Sequence, residues 1–168
     1  MRMFMLLLAL WAVPAHAGWQ QDIGPATLRG TGRFCFIGFC LYDAELWSAR
    51  DPLNYDAPFA LVLTYRHAFA RERLADSGID EIRRLATHPV TENTLARWRS
   101  DMLQAFIDVR PGDSLCGIYL PGRGARFYAN GRLTVQVDDP EFARAFFDIW
   151  LNPDTRAASL RRQLLGLR

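Results

Sequence analysis

Residues 33–47 read RFCFIGFCLYDAELW, whereas a strand with one wet face would alternate apolar and polar side chains. On a single extended strand Phe34, Phe36, Gly38, Cys40 and Tyr42 share one face, and Cys35, Ile37, Phe39 and Leu41 the other. Neither set suits water, so the segment calls for cover on both sides, from protein or from ligand. The longer stretch LRGTGRFCFIGFCLYDAELW reads as one long strand, or as two pieces interrupted at Gly30 and Gly32.

Residues 18–27 ahead of it form an irregular lead-in, and the breaker-rich ARDPLNYDAP separates it from a second strand over residues 59–66. The period then changes. Leu74, Gly78, Ile82 and Leu85 recur at helical spacing, and after THPV a second helix carries Leu95, Trp98, Met102 and Phe106, with Thr91 or Thr94 as its cap. Three strands follow, SLCGIYL, ARFYA and RLTVQV, joined by the PGRG turn and by Asn130-Gly131, a strong hairpin signal. Asp139-Pro140-Glu141 opens a helix that shows Phe142, Phe146 and Ile149 or Trp150 on one face and stops at Asn152-Pro153. A last helix runs from about Thr155 to near Gly166. Strands, helices, three strands and helices, in that order, predict an α+β domain with a mainly antiparallel sheet and helices packed against it.

The chain of 168 residues suits one domain, and its 20 basic residues, all Arg, leave a formal charge of +2 with no cationic stripe. Nucleic acid is therefore not an expected partner. Residues 1–17 carry Arg2, an apolar run over 3–13, Pro14 and the small-x-small site Ala15-His16-Ala17, which reads as a signal peptide. The expected mature domain is residues 18–168, periplasmic or secreted, with no transmembrane segment.

Cys35, Cys40 and Cys116 are the only thiols. On one extended strand Cys35 and Cys40 would lie about 16 Å apart on opposite faces, so no bond is expected between them. A bridge from Cys116 to either one stays open. His67 and His88 lack a second ligand at metal spacing, and no metal or other cofactor is expected. The acidic pairs Asp80-Glu81 and Asp138-Asp139 read as helix surface and helix cap. Arg29 and Arg33 enter the first strand, Tyr42 closes it, and Tyr65-Arg66 ends the second. A cation beside a phenol at the mouth of an apolar cleft is a sound way to hold a carboxylate or phenolate. Phe34, Phe36 and nearby apolar groups would line the tail of such a ligand.

Three stretches in order, LRGTGRFCFIGFCLYDAELW, GDSLCGIYLPGRGARFYANG and DPEFARAFFDIWLNPDTRAASLRRQLLG, resemble the bacterial chalcone isomerase-like family, from about Leu28 to Gly166. The resemblance implies an open-faced sandwich, a large, mainly antiparallel sheet with a layer of helices on one face. It implies one of two activities: ring closure of a chalcone, or binding of a fatty acid in the cleft between sheet and helices. It also suggests that one face of the 33–47 strand meets protein and part of the other a ligand cleft. Arg29 is the nearest match to the family's essential Arg and Arg33 the second, while the position of the catalytic Thr falls near Ile37, which has no hydroxyl. That loss favours binding over turnover. The sequence therefore points to a binding protein for a small apolar ligand with an acidic head, plausibly a fatty acid, held by Arg29 with help from Tyr42 or Tyr65. The alternatives are an isomerase using the same cleft and an interaction protein whose cleft has collapsed.

Overall fold

A computed structural model describes residues 18–167, and the expected signal segment lies outside the described residues. Strands β1 Thr27–Phe36, β2 Phe39–Ser48, β3 Phe59–Tyr65, β4 Ser114–Leu120, β5 Gly124–Ala129 and β6 Arg132–Val137 form one sheet in sequence order. Every neighbouring pair is antiparallel. The helices are α1 Gln20–Ile23, α2 Arg71–Leu85, α3 Glu92–Ala105, α4 Pro140–Leu151 and α5 Ala158–Leu165. Helices α2 to α5 pack over one face, which makes the open-faced α+β sandwich that the sequence predicts.

Local chemistry sets most boundaries. Thr91 caps α3 by accepting the Thr94 N–H, and Asp139 caps α4 by accepting the Phe142 N–H with Pro140 just inside. Gly166 ends α5 in the left-handed conformation, at φ 63°. Asn130 and Gly131 take φ 48° and 77°, the paired positive values of a tight two-residue hairpin.

The first strand is where the structure departs from the sequence reading. The chain reverses at Ile37-Gly38, with φ 47° and 79°, so the break falls there and not at Gly30 or Gly32. Cys35 and Cys40 then face each other across a hairpin and are joined by a disulfide, which overturns the expectation that no bond links them. Face parity holds only along an unbroken strand, and a two-residue turn between the cysteines resets it. Cys116 is free and buried.

Gly30 and Gly32 lie inside β1 for another reason. A Cβ at Gly30 would come within 2.4 Å of the Gln163 carbonyl oxygen, and one at Gly32 within 2.6 Å of Leu160 Cδ1. The Gly-x-Gly motif therefore lets α5 lie directly on the strand backbone.

The core between sheet and helices is rich in aromatic rings, with Phe59, Phe142 and Phe147 fully buried. The opposite face carries a smaller cluster around Ala60, Cys116, Ile118 and Tyr128, covered by Trp19 and Ile23. The lead-in that the sequence left irregular thus contains α1, a short helical lid. Asp22 pins it by pairing with Arg126 at 2.8 Å and by accepting the Tyr128 hydroxyl. No helix among the described residues is long and apolar enough to cross a membrane.

Candidate functional site: an apolar cavity between sheet and helices

The helical layer does not seal against the sheet along its whole length. A cavity of about 930 Å³ lies between β1–β5 and α2 and α4, near the upper end of the usual range for ligand pockets. It sits on the helix side of the sheet. The suggested division, with protein on one face of the 33–47 segment and ligand on the other, is therefore corrected: helices and cavity share a face, and α1 covers part of the other. A cavity this size also weighs against a collapsed cleft.

Its walls follow from strand and helix periodicity. Phe34 and Tyr42, paired across β1 and β2, stack at 5.3 Å between ring centroids, and Tyr42 meets Tyr65 of β3 at 5.7 Å. Leu63, Phe127 and Phe146 extend this apolar lining. Where the cavity meets solvent, its exposed lining residues are the hairpin tip, Arg73 and Ser77 of α2, and Arg156.

Of the residues expected at the site, Phe34, Phe36, Tyr42 and Tyr65 line the cavity together, and Arg29 and Arg33 do not. Arg29 donates to the Ser48 carbonyl at 3.0 Å and pairs with Asp51 at 3.2 Å. Arg33 is held by Asp43 at 2.6 Å, a carboxylate it shares with Arg66. Ile37, near the matched position of the family's Thr, lies at the hairpin turn.

A stripe on α2 adds residues that the sequence expectations do not include. Arg73, Ser77 and Glu81, four residues apart, all line the cavity beside Leu74 and Gly78. This polar i, i+4, i+8 row one step from the apolar row was visible in the sequence. Glu81 is buried and held by Arg84 at 2.6 Å and by the Arg156 N–H at 3.1 Å. Arg73 has no partner among the described residues, which makes it the lining cation without a carboxylate.

The phenols differ in a similar way. Tyr42 accepts a hydrogen bond from Trp150 Nε1 at 2.9 Å. Tyr65 is only 6% exposed, yet its hydroxyl has no hydrogen-bond partner among the described residues. Burial pushes both phenols well above their ordinary pKa, and for Tyr65 the neighbouring Tyr42 adds to the push. Both therefore stay protonated and can donate. Among the described residues no cluster of three or more His, Cys, Asp or Glu side chains could hold a metal ion.

Three carboxyls are held below their ordinary range. Burial opposes this at Glu81, where the Arg84 hydrogen bond, the Arg156 N–H and both arginine charges outweigh it. At Asp43 the Arg33 hydrogen bond leads, against a smaller burial effect and with help from Arg66. At Asp139 burial again opposes and loses to the Phe142 N–H, Trp98 and Arg97. Asp101, raised mainly by burial, works the other way. A carboxyl lowered in the folded state stabilises the fold above its unfolded pKa of about 4, and that stabilisation is lost as pH falls through the folded value. Thermal melts should show Tm nearly level above about pH 5 and falling below about pH 4. A Tm that rises on acidification would contradict these pairings.

An open-faced α+β sandwich with an apolar cleft between its layers defines a pocketed protein, with the sheet as floor and the helices as roof. The particular family is clear from comparison: residues 41–166 match the chalcone isomerase-like family profile, and the chain belongs to that family. It is 27% identical over 165 residues to an uncharacterized protein of Haemophilus influenzae, covering 98% of this chain and 76% of that one. Its fold is similar to the crystal structure of a fatty-acid binding protein from Arabidopsis thaliana. There the TM-score is 0.65 and the identity 13%, over 85% of this chain and 88% of that chain.

Proposed function

We propose that the protein is an exported binding protein for a fatty acid or a closely similar apolar acid. The acyl chain occupies the cavity and the carboxylate meets Arg73, with the Tyr65 hydroxyl as a second donor. One observation carries this reading: a cation and a phenol hydroxyl that have no partner among the described residues line the same apolar cavity. A long acid supplies what those groups and walls lack, an anion at one end and apolar surface along the rest. The fatty-acid binding protein among the structural neighbours lends support to it. The head-group role expected of Arg29 passes to Arg73, because Arg29 is already committed to Ser48 and Asp51.

The test is calorimetric titration of lipid-stripped protein with palmitate, alongside a chalcone cyclisation assay. The expected result is saturable binding with a negative heat-capacity change from burial of the tail, and no rate above background. Absence of binding to saturated and unsaturated acids, with clear chalcone turnover, would replace this reading with the isomerase.

Export rests on Ala15-His16-Ala17 following the short apolar run, and the Cys35–Cys40 disulfide suits an oxidising compartment. N-terminal sequencing of protein recovered from outside the cytoplasm is expected to begin at Gly18. Retention of Met1 on that material would rule out cleavage.

A further inference from the structure

The β1–β2 hairpin ends in a feature that folding alone does not call for. Phe36, Ile37 and Phe39 at its tip are 62%, 80% and 68% exposed. Ile37 also takes φ 47°, a conformation that a β-branched residue strongly disfavours. The Asn130-Gly131 turn has nearly the same pair of φ values and uses the residues such turns prefer. Ile37 therefore meets neither a backbone need nor a solvent need, and the disulfide directly behind it braces the tip. All three tip residues also line the cavity, so the exposed apolar surface is continuous with the ligand's route in and out.

We propose that this hairpin tip is a docking wedge for a lipid bilayer carrying anionic headgroups, inserting Phe36, Ile37 and Phe39 so that the cavity mouth opens onto the acyl layer. The inference rests on the fatty-acid reading for its purpose, since a ligand of that kind resides in membranes.

Charge favours this occupant. No acidic residue occurs between Asp22 and Asp43, and the hairpin and residues 66–73 beside it carry Arg29, Arg33, Arg66, Arg71 and Arg73 against Asp43, Glu45 and Glu72. Arg66 is tied to the hairpin through its N–H to the Leu41 carbonyl, and Arg73 at the mouth has no partner among the described residues. A cationic rim around an apolar tip matches the interface of an anionic membrane. A second copy or a protein partner fits less well. The tip offers on the order of 400 Å², against the ~800 Å² per partner of a standard protein interface.

The experiment is flotation of the full-length chain, without fatty acid, with phosphatidylglycerol/phosphatidylethanolamine vesicles or with phosphatidylcholine vesicles. It compares wild type with Phe36→Ser/Ile37→Asn/Phe39→Ser and with Ile37→Asn alone. The single variant installs a residue that the turn prefers, so its fold is safe. Residues 1–17 are common to all three, so the difference between them reads the hairpin. Wild type is expected to float with the phosphatidylglycerol vesicles more than with phosphatidylcholine. The triple variant should partition roughly tenfold or more weakly, and Ile37→Asn should fall between the two. Hydrogen exchange on the vesicles should slow at residues 35–40. Equal flotation of wild type and variants, protection confined to other segments, or self-association abolished by Ile37→Asn would each overturn the proposal. Palmitate titration in vesicle-free solution scores the fatty-acid reading separately, so failure of either stays distinguishable.

Discussion

Replacing Arg73 with Ala is expected to weaken palmitate binding by roughly tenfold or more, the usual cost of one lost hydrogen bond to a charged group. The effect should shrink as salt rises, because Arg73 is exposed at the cavity mouth where ions screen it. Methyl palmitate, which has no carboxylate, should bind wild type and Arg73→Ala alike. Arg29→Ala should leave affinity near wild type, since that guanidinium is bound to Ser48 and Asp51 and does not line the cavity. Tyr65→Phe adds a distinct signature. It removes a cavity-lining hydroxyl that has no partner among the described residues, so stability should hold while affinity for the acid falls several-fold. Calorimetric titration of these variants checks the whole set. Loss of binding in Arg29→Ala with Arg73→Ala unaffected would return the head-group role to Arg29.

The second large effect lies in the core beside the site. Phe147 is 0% exposed and packs on Phe59, Phe146 and Tyr119, with ring centroids 5.0, 5.2 and 5.8 Å away. Its Cζ would lie 3.2 Å from a Cβ at Gly117, so β4 is bare there to receive the ring. Phe147→Ala removes a ring from a packed aromatic set and leaves a void, which typically costs about 3–5 kcal/mol. A domain stable by about 5–15 kcal/mol loses a large share of its margin in this way. Urea unfolding should show the loss as a lower midpoint at an unchanged slope. Phe147 does not line the cavity, so the fraction still folded should bind palmitate with near-normal affinity. A loss below about 1 kcal/mol would mean that the surrounding rings collapse into the space.

Much of the architecture could be read directly from residues. The caps at Thr91 and Asp139, the Asn130-Gly131 turn and the apolar row Leu74, Gly78, Ile82 depend on contacts within a few positions. The β1–β2 turn left a weaker signal. Phe-Cys-Phe and Phe-Cys-Leu mirror each other about Ile37-Gly38, but Ile is a poor turn residue and hid the reversal. That single misplacement separated two cysteines that the fold joins.

The allocation of cations was not legible in the same way. Arg29, Arg33 and Arg73 are chemically equivalent in the sequence, and a partner from elsewhere decides which of them is free. Asp51 lies 22 residues from Arg29 and Asp43 lies 10 from Arg33, while α2 brings Arg73 to the cavity with no carboxylate paired to it among the described residues. The order of strands and helices, their caps and the apolar character of the site are legible in the residues, because propensity, periodicity and turn chemistry act over a few positions. The hairpin register, the disulfide, the face that holds the cavity and the arginine at its mouth without a partner among the described residues emerge only once the chain is packed. Each of those depends on which distant segments the packed sheet and helices place side by side.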